Sequence, residues 1–357
     1  MNTWGRAVRL SIFGESHGPA IGVVIDGLPA GEVIDLDVTA LEMARRAPGR
    51  NEFSTARREA DEVEILSGLR EGRTAGAPIC GVIRNKDARS RDYGTTLRPG
   101  HADWSALLKY GGWADMRGGG HFSGRLTAPL VFAGSLAKQI LARRGVGVFA
   151  RIAAIGGIED METVSSAEEY RAISVRPFPS SPSSEELMKR AIAAAKEEGD
   201  SVGGVVDAAV FGLPGGLGDP FFCSMESLIS SLLFSVPAVK GVEFGDGFRL
   251  AAMRGSGAND ALYAEGGRIM ARANHNGGIL GGITNGMPLT LRAAVKPTPS
   301  IARAQESVDA EAMENTELDI TGRHDPCIVP RAVPVIEACL ALCALDALLS
   351  PGGIVNP

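Results

Sequence analysis

Apolar and polar positions divide the chain into two kinds of segment. Short apolar runs, many of them alternating and bounded by Gly, Asp or Pro, predict strands at Val8–Phe13, Ile21–Ile25, Val63–Leu66, Ile79–Arg84, Val146–Ile155, Val205–Phe211 and Leu289–Lys296. Longer stretches predict helices over about residues 37–46, 128–144, 184–198, 225–235 and 334–349. The third carries a start signal: Ser183 is placed to cap it, and Glu186 three residues later completes a capping box. The helices at 128–144 and 334–349 are dense in Ala, Leu and Val, which predicts core elements rather than surface helices. Several strands follow one another with no helix between them. That disfavours a doubly wound parallel sheet and favours an α+β fold with antiparallel sheets. No internal repeat shows at a fixed period. The one linker-like stretch, Pro177–Ser184, leads into the third helix, so residues 1–357 are read as one domain.

Composition narrows the class. The 357 residues are 45% hydrophobic and 22% charged, as expected of a folded globular protein. A net charge of −6 argues against a nucleic-acid partner, and 5% aromatics argue against an extended base-stacking surface. The N-terminus has no signal-peptide core. The longest apolar run, Val333 to Leu349, carries Glu337 and Asp346 and is short for a bilayer, so it reads as a buried helix with no membrane partner. The five cysteines (Cys80, Cys223, Cys327, Cys339 and Cys343) are odd in number and form no CxxC pair. They read as reduced, buried thiols of a cytoplasmic protein.

The chemistry concentrates in loops. All five histidines (His17, His101, His121, His275 and His324) sit in Gly- or Asp-rich segments, where a scaffold can present a proton donor near neutral pH. A structural role is the ordinary alternative for any one of them. Their spacing fits no metal motif, so no metal is expected. Arg45, Arg46, Arg50, Arg57 and Arg58 form one basic cluster; Arg84, Lys86, Arg89, Arg91 and Arg98 form another; Arg117 and Arg125 flank a run of glycines. In an acidic chain such clusters suit a small polyanion, because guanidinium forks match phosphate and carboxylate; a solvated basic face is the alternative. Gly118-Gly119-Gly120 before a buried helix, and the Asn274–Gly286 segment, are suited to backbone contact with a phosphate or a flat ligand, although tight turns alone explain either. The residues by themselves therefore point to an enzyme of small anions with histidine acid–base groups and a phosphate-bearing ligand.

Nine segments in order resemble the chorismate synthase family over nearly the whole chain. They are Phe13–Gly18 (FGESHG), Ala44–Gly49 (ARRAPG), Arg57–Leu69, Arg98–Asp103 (RPGHAD), Lys109–Gly120, Pro237–Phe248, Asn274–Gly286, Val295–Ile301 (VKPTPSI) and Gly322–Cys327 (GRHDPC). The resemblance implies a β-α-β sandwich with a helical core between two antiparallel sheets, assembled as a homotetramer. It implies anti-1,4-elimination of phosphate from 5-enolpyruvylshikimate 3-phosphate to give chorismate, the last step of the shikimate pathway, with reduced FMN required and no net redox change. NADPH, or an external flavin reductase, is the implied source of reductant. By the same resemblance His101 protonates the leaving phosphate. His17 stabilises or protonates the reduced flavin, and Asp325 lies near flavin N5 where the C6 proton is taken.

Arg45, Arg46, Arg125 and Arg323 then bind the substrate, Arg323 also contacting the cofactor and Arg46 NADPH. The cofactor is held by His121, Phe122, Ser123, Pro237, Ala238, Gly281 and the loop Lys296, Pro297, Thr298, Pro299 and Ser300. His324 stands beside Asp325, and His275 orders its own loop. The chain departs from the family pattern at His121 and Phe122, which replace Arg and Ser, at Ala47 and Pro299, and at Glu52, where a basic residue linked to NADPH is common. These departures suggest a divergent bacterial-type branch, and Glu52 points towards dependence on outside reductant. The competing classes are a flavin-dependent oxidoreductase, which lacks a dinucleotide fingerprint here, and a non-catalytic binder of phosphorylated metabolites, which would have no need of His17, His101 and Asp325.

Overall fold

The computed structural model of the protein describes residues 2–49, 61–86, 95–320 and 325–350. In chain order its main elements are strands β1 (Arg9–Gly14) and β2 (Ala20–Asp26), helix α1 (Leu36–Arg46), strands β3 (Val63–Ser67) and β4 (Ile79–Arg84), and helices α2 (Asp103–Tyr110) and α3 (Thr127–Ala142). Then follow strand β5 (Gly147–Ile155), helices α4 (Ala167–Ser174) and α5 (Pro182–Glu197), strand β6 (Gly204–Phe211), helix α6 (Met225–Leu233), strands β7 (Val239–Phe244) and β8 (Leu289–Val295), and helix α7 (Val329–Leu349). Two antiparallel five-stranded sheets enclose a helical layer. One runs Thr3–Trp4, β1, β2, β4, β3; the other runs Ile158–Glu159, β5, β6, β8, β7. This is the expected α+β sandwich.

The layer between the sheets is made chiefly by α3 and α7, and its sequence explains why. In α3 every residue but Lys138, Gln139 and Ala142 is buried, and in α7 every residue but Arg331, Leu348 and Leu349. A helix apolar all round has no solvent face and must lie inside. The two helices pack closely: a Cβ on Gly134 would stand 2.3 Å from the Cβ of Ala338. By length and hydropathy α7 could cross a membrane, but 89% of that window is buried within the fold. Its two acids are answered internally. Asp346 accepts the backbone N–H groups of Arg6, Ala7 and Val8 at 2.7–2.9 Å. Glu337 accepts from Arg45 at 2.6 and 2.9 Å, from Lys138 at 2.7 Å and from the Ala150 N–H at 3.0 Å.

The seven predicted strands and five predicted helices all form, with boundaries shifted by a few residues. The cap of α5 is corrected. Ser181 is the N-cap residue and Pro182 the first helical residue, so the helix starts ahead of Ser183. A proline is preset for that position and draws the start forward. The capping box lies instead on α4, between Ser166 and Glu169. Helices α2 and α4, of two turns each, and strand β7 were not anticipated from the pattern; runs this short carry little periodicity.

A second correction concerns repetition. The two sheets have one plan: a two-residue edge strand and then strands in the same order, with α1 following β2 as α6 follows β6, and α3 following β4 as α7 follows β8. The likeness extends to hydrogen bonds. Thr74 Oγ1 donates to Pro29 O and accepts from Glu32 N; Thr284 Oγ1 donates to Pro214 O and accepts from Leu217 N. Both threonines sit in short hairpins (Leu69–Arg70 with Arg73–Thr74, and Ile279–Leu280 with Ile283–Thr284) and both prolines in a Gly-Leu-Pro segment. No fixed period is visible because the second half carries extra chain between β7 and its hairpin, including the paired strands Leu262–Glu265 and Arg268–Ala271.

Candidate active site

A cavity of about 2080 Å³ is lined chiefly by loops and by the ends of α1, α2, α3 and α7. Of the residues singled out from sequence, His17, His101 and Asp325 line it, and so do Arg46 and Arg125. His121, Phe122, Ser123, Pro237 and Ala238 do as well, with Lys296, Thr298, Pro299 and Ser300. Pro297 lies between two of these and is itself exposed. Residues more than 200 positions apart in the chain thus meet at one wall.

The glycine run explains how the two histidines are brought together. Gly118, Gly119 and Gly120 have φ of 61°, 87° and 53°, the left-handed region that glycine enters without penalty. A Cβ at Gly118 would lie 2.4 Å from His17 Nε2, and one at Gly119 would lie 3.2 Å from His101 Nε2. Both imidazoles therefore pack against a turn that only glycine can make. The turn is also tied to the His17 loop, since Ser16 N–H donates to Gly120 O at 3.1 Å.

His101 is held from behind. Its Nδ1 lies 2.7 Å from Asp103 Oδ1. Arg98 grips the same carboxylate with Nε at 2.8 Å, Nη2 at 2.7 Å and its backbone N–H at 3.0 Å. Burial pushes the Asp103 carboxyl up, but the His101 and Arg98 hydrogen bonds outweigh it and hold it well below the usual carboxylate range. An ionised Asp103 accepts from Nδ1–H and fixes the ring's orientation. By sequence Arg98 counts only as a member of a basic cluster and Asp103 has no role; an acid two residues from a histidine is the available signal.

The cationic wall has an internal counter-ion. Arg46 and Arg125 both donate to Asp61, the former through Nη1 at 2.6 Å. Burial pushes the Arg46 guanidinium down to about 10, against the opposing charge of Asp61. Asp325 is itself engaged: Arg331 Nη1 donates to its Oδ2 at 2.5 Å, while Arg331 Nε donates to Arg46 O at 3.1 Å. Asp61 and Arg331 were also missed, because an isolated Asp or Arg in sequence carries no sign of what it faces.

Other expectations are not met at the cavity. Arg45 turns into the helical layer, where Glu337, Glu42 and Ser174 O take its guanidinium. Successive side chains on a helix point about 100° apart, so adjacent arginines part company. Gly281 lies in the Ile279–Thr284 hairpin, away from the cavity walls. Arg323 and His324 fall outside the described residues, as do Arg50, Glu52, Arg57, Arg58, Arg89 and Arg91. His275 orders its loop: Nδ1 lies 2.7 Å from Asp246 Oδ2, and its N–H donates to Asp260 at 2.8 Å.

An α+β sandwich whose loops gather guanidinia, three imidazoles and a carboxylate around one cavity defines an enzyme of small anions. The family profile described as chorismate synthase matches residues 8–349. A chorismate synthase of Korarchaeum cryptofilum is 47% identical over 351 residues, covering 97% of each chain. One of Dehalococcoides mccartyi is 45% identical over 359 residues, 98% of this chain and 97% of that one. A solved structure described as a crystal structure of chorismate synthase superposes with a TM-score of 0.75 at 30% identity, covering 97% of this chain and 92% of that one. The chain belongs to the chorismate synthase family, whose members are carbon–oxygen lyases.

Proposed function

We propose that this cavity eliminates phosphate from 5-enolpyruvylshikimate 3-phosphate to give chorismate, with reduced FMN bound beside the substrate. The observation that carries the reading is the joint packing of His17 and His101 on the Gly118–Gly120 turn, at a cavity shared with Arg46, Arg125 and Asp325. The residues present suit a flavin phosphate and ring. Thr298 Oγ1 is buried on the cavity wall with no hydrogen-bond partner among the described residues, and Lys296 stands two residues away. His121 and Phe122 pack with ring centroids 4.1 Å apart and planes tilted by 32°, and so keep an aromatic surface at the cavity despite the departure from the family pattern. Thr298, Lys296, Ser123, Pro237 and Ala238 would hold the cofactor. Reduced FMN, when bound, supplies electron density for departure of the phosphate and is unchanged over the turnover.

The protein's own groups carry the protons. In the 1,4-elimination the C3–O bond and the C6–H bond break, the ring double bond between them becomes single, and C=C bonds form on either side of it. His101 donates its proton to the departing phosphate oxygen, where an imidazolium also offsets the growing charge. Asp325, held by Arg331, is the carboxylate at which the C6 proton arrives. Arg46 and Arg125 bind the substrate's anionic groups. Reduction by NADPH at Arg46 or by an external reductase, homotetrameric assembly and a cytoplasmic location complete the reading.

The test is an anaerobic assay of the substrate with dithionite-reduced FMN, following chorismate by absorbance, beside tubes with oxidised FMN alone and with NADPH. Chorismate in the reduced-FMN tube and not with oxidised FMN supports the reading, and the NADPH tube reports intrinsic flavin reduction. Binding of substrate and FMN without chorismate would point instead to a non-catalytic relative.

A further inference from the structure

Asp61, the counter-ion of Arg46 and Arg125, does not itself line the cavity but lies behind its cationic wall. It directly precedes the segment leading into β3 and has φ of 50°, a left-handed conformation that few residues other than glycine and short polar ones adopt. Its side chain has no solvent exposure. Both carboxylate oxygens are occupied, one by Arg46 Nη1 and the other by Arg125 Nη1. The two guanidiniums come from distant parts of the chain, the end of α1 and the turn before α3. Each has further anchors: Arg46 donates to Thr127 Oγ1 at 3.1 Å and Gly124 O at 3.0 Å, and Arg125 donates to Asn85 Oδ1 at 3.1 Å. Asn85 in turn donates to Glu15 O and Gly18 O, the loop that presents His17.

Two buried cations facing one cavity repel each other, and a third, Arg331, approaches from α7 through Arg46 O. A single carboxylate between Arg46 and Arg125 opposes that repulsion and sets the distance between their forks. We propose that Asp61 is a positioning residue: it fixes the Arg46 and Arg125 guanidinia relative to each other, and so makes the wall select an anion of one shape over anions in general. The proposal rests on the reading of this cavity as the site of the phosphorylated substrate. Asp61 itself touches neither substrate nor cofactor in this account.

The experiment compares Asp61→Asn and Asp61→Glu with the unaltered chain, using reduced FMN and the phosphorylated substrate, with inorganic phosphate as competitor. The unaltered chain must first produce chorismate; failure there removes the functional reading and leaves phosphate titration as the readout for Asp61. Asp61→Asn is expected to raise KM on the order of 10–100-fold, the size seen when an outer partner of a ligating side chain is lost. The inhibition constant of inorganic phosphate should move less than KM, because the wall keeps its charge and loses its spacing. FMN affinity should hold within about twofold. Asp61→Glu, which keeps the charge, should recover part of the loss. A KM and phosphate inhibition unchanged in folded Asp61→Asn would overturn the proposal, as would equal losses of substrate and phosphate affinity. If Asp61→Asn does not fold, Arg46→Lys, Arg125→Lys and their double variant take its place. Strongly non-additive effects on KM are expected for two side chains sharing one partner, and additivity would overturn the proposal.

Discussion

The two halves of the sandwich share a strand order, a threonine-anchored hairpin and a helix after each corresponding strand, yet they serve the cavity differently. In the first half the β1–β2 turn carries His17, and the connection from β4 to α3 carries His101, the glycine turn and Arg125. In the second half the β5–β6 connection has grown into α4 and α5 instead, while the connection from β8 to α7 supplies Lys296–Ser300 and Asp325. The ends of α1 and α6 make the same contrast at close quarters. One delivers Arg46 and Pro48, the other Pro237 and Ala238. A repeated frame holds the loops, and the loops, free of the packing that preserves the frame, diverge: one half brings His17, His101 and Arg125 to the cavity, the other Lys296, Thr298 and Asp325.

The sharpest way to break this contrast is His101→Ala in the first half. Phosphate release should fall by about 10²–10⁴-fold with FMN affinity largely intact, as for loss of a general acid. A near-native rate in a stopped-flow phosphate assay would move proton transfer out of that loop.

Next in size is Glu337→Gln, aimed at the frame where the halves meet. It leaves Arg45 and Lys138 without a full counter-charge in the helical layer and should cost about 3–5 kcal/mol in denaturant unfolding. Burial pushes the Glu337 carboxyl up, but Lys138 and Arg45 outweigh it and hold it at about 2 against an ordinary value of 4.5. A lowered folded value means stability that is fully present above about pH 4.5 and is lost as the pH falls towards 2. Acid unfolding of the Gln variant should lack that component.

Smaller again is Gly134→Ala, which places a methyl group 2.3 Å from Ala338 Cβ. Overpacking should cost about 1–3 kcal/mol, with the cavity unaffected and kcat retained. The mildest test compares the ends of α1 and α6. Gly49 has φ of 79° and Ala238, in the corresponding place of the second half, 74°. Ala238→Gly should change stability by less than about 1 kcal/mol, since relief of left-handed strain offsets the added freedom of the unfolded chain. A large loss on thermal melting would show that the alanine methyl is needed in the cavity wall.

Periodicity was enough to find α3, α7 and the long strands, because burial on every side or on one side leaves a direct mark on residue order. Glycine motifs were enough to find the turn, because left-handed backbone at Gly118–Gly120 excludes other residues, but all five loop histidines looked alike and only the family resemblance singled out His17 and His101. The partners of those groups were not legible. Arg45 and Arg46 are neighbours in the chain, and nothing in their order tells which one faces the cavity and which one Glu337. Asp103, Asp61 and Arg331 take their meaning from what lies opposite them. The repeat stayed hidden because its signature is a set of matching hydrogen bonds and strand neighbours, spread over unequal lengths of chain. Residue order determined the elements, the buried helices and the glycine turn, since each depends on local conformation or on the total apolar surface to be hidden. Tertiary structure alone decided which charges meet, because a charge pair depends on the distance between atoms, whether the chain separates them by 6 residues, as for Arg331 and Asp325, or by 292, as for Arg45 and Glu337.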